Sequence, residues 1–175
     1  MDLRNKTIAI LIEDLYEDME FWYPYYRMKE AGANVVVLGT GKNSYTGKNG
    51  LKAQANRDVY EVTVDEFDAL IIPGGYAPDR LRRHKAVLEF VRKMDEEDKI
   101  IAFICHAGWV PISAKIVLNR EVTSFFAIKD DLINAGANWV DAEVVRDANL
   151  ISSRKPDDLP AFCSMIIEAL STVSA

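Results

Sequence analysis

The fold is decided by the stretch Ile100-Ile101-Ala102-Phe103-Ile104-Cys105-His106-Ala107-Gly108-Trp109. It begins with an apolar, β-leaning run, typical of a strand that is buried on both faces of a parallel sheet. A helical pattern over 110–117 follows almost at once, so the chain must turn sharply at Cys105 and His106. Such a junction places the turn residue at the carboxyl end of the sheet, beside the backbone amides of the helix start.

Cys105 has two interpretations in this position. The helix-start amides and the adjacent His106 would favour the thiolate, which is the reactive form of cysteine. A cysteine with apolar neighbours can equally be an inert core residue, and adjacent residues often point apart. The second cysteine, Cys163, lies in a helical segment and is interpreted as structural.

Strands and helices alternate on both sides of this stretch. The polar segment 40–61 is expected to form short antiparallel pieces or an extended excursion. The pattern predicts one α/β domain over 1–175, with three layers and a mostly parallel sheet in the middle. The predicted strands are 7–12, 34–39, 67–72, 100–104, 121–124, 142–146 and 150–153, and the predicted helices are 18–31, 85–97, 110–117, 128–135 and 157–170.

The composition narrows the function classes. Hydrophobic residues make up 49% and charged residues 27% of the 175 residues, as in an ordinary globular protein. The net charge is −6, and the basic residues near Arg80–Lys85 read as a solvated helix face, so no nucleic-acid partner is expected. No apolar run reaches the roughly 18 residues of a membrane span, and no signal peptide is recognised. We therefore expect a cytoplasmic protein with reduced thiols, without a membrane partner.

Two further strand ends could carry chemistry. The turn Pro73-Gly74-Gly75 can bring backbone amides close to a ligand and, with the His106 amide, form an oxyanion hole; it can also be a simple turn. Glu17 and Glu20 share a face of the first helix. Either could exchange protons with Cys105, or both could merely complement the helix dipole.

Other ligand classes are not supported. The two histidines, His84 and His106, and the two cysteines lack the spacing of a zinc site, so no metal is expected. No Gly-x-Gly-x-x-Gly or P-loop pattern occurs, so no cofactor is expected either. The aromatic residues of 21–26 are interpreted as core or subunit interface rather than as a ligand-stacking surface.

Several long motifs, in the right order, resemble the PfpI-type intracellular proteases of the ThiJ/PfpI superfamily, whose domain is related to class I glutamine amidotransferases. The likeness covers almost the whole chain. Its motifs are Ala102–His106, Tyr16–Glu20 with Tyr23–Tyr25, Phe67–Gly75 with Ala77-Pro78, Ile128–Gly136 and Trp139–Val145.

The resemblance implies a flavodoxin-like sandwich in which Cys105 is the nucleophile of a nucleophile elbow and His106 its neighbour. It implies that Glu20 contacts the cysteine and that Glu17 is a second acid in the pocket. The amides of Gly75 and His106 would form the oxyanion hole.

In PfpI-type proteins an acidic residue from an adjoining subunit orients the histidine. Asp79 stands at that position, one methylene shorter than the family's Glu. The resemblance therefore implies a homo-oligomer, a dimer or a hexamer.

The pocket wall departs from the family pattern. Ala107-Gly108-Trp109 stands where the family has Gly-Pro-Gln, and Phe125-Phe126 stands where a Tyr-Pro pair is typical. We predict that Gly74, Trp109 and Phe125 contact the substrate.

Three hypotheses for the function remain open. The first is a cysteine-dependent hydrolase or lyase that acts on a peptide bond or on a reactive aldehyde such as methylglyoxal or its protein adducts, as a peptidase, glyoxalase III or deglycase. The second is a stress-response redox sensor in which Cys105 is oxidised to the sulfinic acid without turnover. The third is a structural protein without activity. Both active hypotheses predict a Cys105 pKa below the ordinary ~8.5.

Overall fold

The computed structural model describes residues 2–171, so Met1 and residues 172–175 of the predicted domain lie outside the described residues. Its centre is a seven-stranded sheet with the order β10-β11-β7-β6-β1-β2-β5. All neighbouring pairs are parallel except β10 and β11, which form an antiparallel hairpin. The strands of this sheet are β1 (Thr7–Leu11), β2 (Asn34–Gly39), β5 (Arg57–Asp58), β6 (Ala69–Ile72), β7 (Ile100–Ile104), β10 (Val144–Asp147) and β11 (Leu150–Ser153).

Helices cover both faces of the sheet. On one face the helices α1 and α6 pack, and on the other the helices α3 and α4 pack. Successive β1 side chains divide between the two cores, with Ile8 and Ile10 in the first and Ala9 and Leu11 in the second. This two-sided burial explains why the strands are continuously apolar. The helices are α1 (Asp18–Glu30), α2 (Ala77–Leu81), α3 (Lys85–Glu96), α4 (Trp109–Ala114), α5 (Lys129–Asn134) and α6 (Leu159–Ser171).

The polar segment after β2 contains an antiparallel hairpin, as predicted. It consists of β3 (Ser44–Thr46) and β4 (Lys52–Gln54), and β5 then adds to the main sheet beside β2. This hairpin carries the loop 47–51 towards the start of α1, where the loop meets the site described below.

Two predictions about local structure are wrong, and one helix was not predicted. The strand predicted at 121–124 ends at Val122 as β8 (Glu121–Val122) and pairs with β9 (Asn138–Trp139) in a separate two-stranded sheet. The helix α2 was not predicted, because its five residues are too few to show a periodic pattern. The helix predicted over 110–117 ends at Ala114, because Lys115 adopts a left-handed conformation with φ 62°.

The carboxyl ends of β1, β6, β7 and β11 meet at one edge of the sheet. The register pairs Ile72 with Phe103 and Ser153 with Ile104, so the residues that follow β6, β7 and β11 are brought side by side. Ligands of open parallel sheets bind at this edge. Within residues 2–171, no helix is long and apolar enough to cross a membrane.

Candidate active site

Cys105 lies in a strained turn at the carboxyl end of β7. Its φ is 62°, in the left-handed region that non-glycine residues rarely adopt. A short 3₁₀ turn over Cys105–Gly108 leads directly into α4, and the Cys105 carbonyl accepts a hydrogen bond from the Phe125 amide at 3.3 Å. The sharp change of direction directs the side chain to the sheet edge, as expected of a nucleophile elbow.

Two backbone amides converge on the Cys105 sulfur, and they belong to His106 and Gly75. Gly75 has a φ of 79°, and a Cβ there would lie 2.4 Å from the Glu17 nitrogen and 2.6 Å from the Leu15 carbonyl oxygen. Only glycine can bring the amide into this position. The structure thus places together both donors named for the oxyanion hole, whose role in catalysis stays a prediction.

Glu20 is a completely buried acid beside Cys105. Its Oε2 accepts a hydrogen bond from the Gly74 amide at 2.8 Å. Its Oε1 is buried without a conventional hydrogen-bond partner within the described chain, and the Cys105 thiol interacts with this carboxyl group. Burial, reinforced by the neighbouring Glu17, raises the pKa of Glu20 from 4.5 to about 8. Glu20 therefore carries a proton at neutral pH.

The expectation of a depressed Cys105 pKa is wrong, because the structure raises the pKa of this thiol. Burial raises the pKa of Cys105, the Glu20 carboxylate raises it further, and the amides of His106 and Gly75 act in the opposite direction. A protonated Glu20 removes the adjacent negative charge and can donate its proton to the sulfur. Ionisation of the thiol is therefore coupled to the proton on Glu20.

His106 contacts the sulfur through Nδ1 at 3.2 Å, so these adjacent side chains do meet. Its ring stacks on Phe125 with centroids 5.1 Å apart. Burial lowers the pKa of His106, and the charge of Lys48 lowers it further. The imidazole is thus neutral at neutral pH, and the pair is not a thiolate–imidazolium pair.

Glu17 is the N-cap residue of α1, and its Oε2 accepts a hydrogen bond from the Glu20 amide at 2.9 Å. It is buried, and it also lines the cavity beside Cys105. Glu17 therefore stabilises the start of α1, which is the structural role considered for this acidic segment. The same hydrogen bond fixes the backbone position of Glu20.

Comparisons with known proteins identify the family of this chain. The pattern of the DJ-1/PfpI family matches residues 6–169. The chain belongs to the DJ-1/PfpI family. Deglycase PfpI of Pyrococcus furiosus is 44% identical over 163 residues, which are 93% of this chain and 98% of that protein. The putative cysteine protease YraA of Bacillus subtilis is 42% identical over 160 residues, 90% of this chain and 94% of that protein.

A solved structure of the family shows the same fold. It is a two-domain protein of Anabaena variabilis with DJ-1/ThiJ/PfpI-like and ferritin-like domains. It superposes with a TM-score of 0.93 at 43% identity, and the match covers 95% of this chain and 48% of that one. The predicted family and the flavodoxin-like α/β fold are confirmed. The relatives also support the predicted class, a PfpI-type hydrolase or lyase with a cysteine nucleophile.

At this edge of the sheet, the residues around Cys105 line a cavity of about 300 Å³. Sequence reasoning identified its acids, its glycine, the Cys-His pair and Phe125, and missed four further residues. Lys155 and Pro156 follow the parallel strand β11, so the strand-end rule could have found them. The lining residues are Glu17, Glu20, Lys48, Gly75, Tyr76, Cys105, His106, Phe125, Lys155 and Pro156.

Gly74 and Trp109, two residues predicted to contact the substrate, do not line this cavity. The Gly74 amide donates to Glu20 Oε2, and the Gly74 carbonyl accepts from the Glu17 amide. Gly74 thus holds the two acids in position. A Cβ at Gly74 would lie 2.5 Å from Glu20 Oε2, which explains the glycine. Trp109 packs edge-on against His106, and its indole nitrogen donates to Asp131 at 2.8 Å. The direction of the Trp109 indole is not evident from the sequence, and substrate contact by Gly74 or Trp109 stays a prediction.

Asp79 lies on α2, half-exposed, in an ion pair with Arg83. Within the described chain its side chain makes no hydrogen bond or ion pair with His106. Its predicted contact with the histidine of a neighbouring subunit stays a prediction.

Metal binding has no evident site in the described part of the chain. Across residues 2–171, no group of three or more His, Cys, Asp and Glu side chains is arranged to hold a metal ion.

Proposed function

We propose that the protein is a deglycase that removes reactive 2-oxoaldehyde adducts, such as those of methylglyoxal, with Cys105 as nucleophile. The observation that carries this proposal is the convergence on one sulfur of two backbone amides and a buried, protonated acid. The printed names of relatives such as Deglycase PfpI support the substrate class.

The reaction of a thiol adduct balances without a cofactor. An adduct R–S–CH(OH)–CO–CH₃ and one water give the free thiol R–SH and lactic acid. The adduct's own carbons exchange oxidation states, so no external oxidant or reductant is needed.

The residues of the site fit the first steps. The adduct first releases R–SH and the free 2-oxoaldehyde, and the Cys105 thiolate attacks the aldehyde carbon. The negative charge moves to the aldehyde oxygen, where the amides of Gly75 and His106 donate to it, and the proton of Glu20 passes to that oxygen. The resulting Glu20 carboxylate accepts the C–H proton of the attacked carbon, which the adjacent ketone makes acidic. Return of this proton to the former ketone carbon gives a Cys105 thioester, and water hydrolyses it to lactic acid and the free thiol. An acid whose pKa of about 8 lies near the working pH suits such two-way transfer.

The cavity volume favours this substrate class over peptides. About 300 Å³ beside the sulfur holds a small carbonyl compound, whereas peptide cleavage requires room for chain on both sides of the reacting bond. Peptidase activity, as in the name of the Bacillus relative, remains the alternative within the same chemistry.

The experiment replaces the nucleophile. Cys105→Ser and the matched control Cys163→Ser are assayed for lactate release from methylglyoxal adducts and for cleavage of unfolded peptides. We expect Cys105→Ser to lose adduct turnover by about 10³-fold or more and Cys163→Ser to retain it. Full turnover in Cys105→Ser would remove this cysteine from the mechanism.

A second candidate function is redox sensing through Cys105. The unpartnered Oε1 of Glu20 favours it, because a protonated Oε1 could donate to a sulfinate oxygen. Mass spectrometry after mild peroxide treatment tests it. A sensor would oxidise selectively at Cys105 and show no adduct turnover.

We further propose that the protein acts in the cytoplasm, in protection against carbonyl stress, as a homo-oligomer. The exposed α1 side chains Met19 and Tyr26 and the exposed Asp79 of α2 support an assembly. Light scattering coupled to gel filtration measures it, and a monomer at micromolar concentration would contradict it.

A further inference from the structure

Two lysines flank the mouth of the Cys105 cavity. Lys48 and Lys155 both line it, and both are exposed to solvent. Neither is explained by the nucleophile, the acids or the amides described above. Since the chain carries a net charge of −6, these lysines are not part of a generally basic surface.

Lys48 has an uncommitted charge. Within the described residues its ammonium group makes no hydrogen bond and no ion pair, although Glu17 and Glu20 line the same cavity. Its charge is nevertheless felt inside the site, where it adds to the effect of burial in lowering the pKa of His106. Its charge also opposes the effect of burial on the pKa of Glu20, yet it forms no ion pair with either acid within the described residues. A cation that reaches the site without pairing with its acids is available to a ligand.

The position of Lys48 is fixed by a buried carboxylate. Asp18 accepts hydrogen bonds from the Asn49 amide at 2.9 Å and from the Leu51 amide at 3.0 Å. The Lys48 amide itself donates to the Tyr16 carbonyl at 2.9 Å. A Cβ at Gly47 would lie 2.5 Å from Asp18 Oδ1, so the loop approaches the carboxylate as closely as glycine allows. The helix start that supplies Glu17 and Glu20 thus also holds Lys48 at the cavity.

Lys155 reaches the cavity from a different part of the fold, just after the carboxyl end of β11, whereas Lys48 lies in the loop between β3 and β4. Its neighbour Arg154 is committed to Asp158 and Asp141, at 2.9 and 2.8 Å, and is therefore not free for a ligand. Among residues 2–171, Lys155 itself pairs only with the exposed Asp157 at 3.3 Å, an interaction that solvent makes weak.

We propose that Lys48 and Lys155 together bind an anionic group of the substrate, so that the preferred adducts carry a carboxylate or phosphate a few bonds from the reacting carbonyl. This inference rests on the proposed deglycase function and names the substrate class of the same site. Both anions present oxygen acceptors to an ammonium group, and the experiment separates them.

The test compares two adducts that differ by one charge. Methylglyoxal is added to N-acetylcysteine, which has a free carboxylate, and to N-acetylcysteine amide, which has none, and lactate formation is measured at known adduct concentrations. For the wild type we expect a KM several-fold lower for the carboxylate adduct, with similar kcat. Added salt should reduce this preference.

The lysine variants identify the binding groups. Lys48→Met and Lys155→Met should each raise the ratio of KM for the carboxylate adduct to KM for the amide adduct about fivefold, the effect of one exposed charge pair. A change common to both adducts reports the effect of Lys48 on the pKa of His106 and not anion binding. Lys48→Arg should restore the preference. Lys52→Met is the matched control, because Lys52 is an exposed residue of β4 that does not line the cavity. Inhibition by inorganic phosphate or by acetate, reduced in Lys48→Met, shows which anion the pair prefers.

The outcomes separate this inference from the proposed function. If Cys105→Ser is inactive but the wild type treats both adducts alike, the anion site is refuted and the deglycase proposal stands. Equal loss on both adducts in Lys48→Met would also refute anion binding. Undiminished turnover in Cys105→Ser would refute the proposed function itself.

Discussion

Replacement of Glu20 by glutamine tests the central electrostatic feature of the site. Glutamine has nearly the same shape, can accept the Gly74 hydrogen bond through its oxygen, and cannot ionise. The pKa of Glu20 rises from 4.5 to about 8 on folding because its carboxyl group is buried beside Glu17. The wild type must therefore lose stability with rising pH in a way that Glu20→Gln does not.

The sign and size follow from proton linkage. Because the folded pKa lies above the unfolded one, the stabilisation from the bound proton is full below about pH 4.5 and is lost as the pH rises towards 8. Each pKa unit between the two states corresponds to about 1.4 kcal/mol, so this acid lowers the unfolding free energy by about 5 kcal/mol over that range. The unfolding free energy of Glu20→Gln, relative to that of the wild type, should therefore rise by about 5 kcal/mol between pH 4.5 and 8.

The assay is urea denaturation of both proteins at a series of pH values. Glu30→Gln is the matched control, because Glu30 is an exposed acid on the same helix. Repeating the comparison in a Cys105→Ser background removes the thiol, which titrates together with Glu20. If the difference in unfolding free energy between the wild type and Glu20→Gln stays constant with pH, Glu20 is not held protonated and the reasoning fails.

The pH dependence of activity tests the ionisation of Glu20 independently of protein stability. In the wild type, kcat/KM should fall above about pH 8, where Glu20 ionises and opposes the thiolate. Glu20→Gln should lack this alkaline fall, and it should also be slower at every pH because it cannot transfer a proton. An alkaline limb that persists unchanged in the variant would assign that ionisation to another group.

Two further substitutions test how the site is built. Gly75→Ala should cost at least about 2 kcal/mol of unfolding free energy, because its φ of 79° and a Cβ only 2.4 Å from the Glu17 nitrogen both exclude a side chain. It should also reduce kcat by about 10²-fold or more through the displaced amide, and a variant with normal denaturation and normal turnover would contradict both roles. Asp18→Asn should cost about 1.5–3 kcal/mol, since one of the two amides of Asn49 and Leu51 then faces a donor. Hydrogen exchange at these amides should accelerate, and unchanged exchange would show that Asp18 does not hold the loop.

The sequence predicts the sheet and the elbow because both depend on local patterns. Continuous apolar runs identify β1, β2, β6 and β7, and the parallel alternation then brings their carboxyl ends together. Two short elements that show no periodic pattern, α2 and β9, were not predicted. The strand predicted at 121–124 failed because alternation cannot show which sheet a two-residue strand joins.

The site residues also divide into those that local sequence patterns identify and those that they do not. Cys105, Gly75 and Glu20 come directly from strand ends and a helix start, so topology is enough to bring them together. Trp109 was placed in the pocket by its position after the elbow, but its indole turns to Asp131 instead. Lys48 gave no signal, because it reaches the site from a loop anchored by a long-range hydrogen bond. The raised pKa of Cys105 depends on burial, which sequence does not measure.

Two left-handed non-glycine residues lie where the proposed chemistry occurs. Leu15 and Cys105 are non-glycine residues with φ near +60°, and both lie next to Gly75, whose own φ is 79°. Each left-handed residue costs about 1–2 kcal/mol, so the surrounding contacts must hold them. They do so through backbone bonds: the Tyr76 amide donates to Leu15 at 2.9 Å, and the Glu17 amide donates to Gly74 at 3.0 Å. These bonds tie the loop after β1 to the loop after β6, and so fix the Gly75 amide and the start of α1 relative to the sulfur. The strain therefore supplies a preorganised set of donors and acids that a relaxed turn could not present.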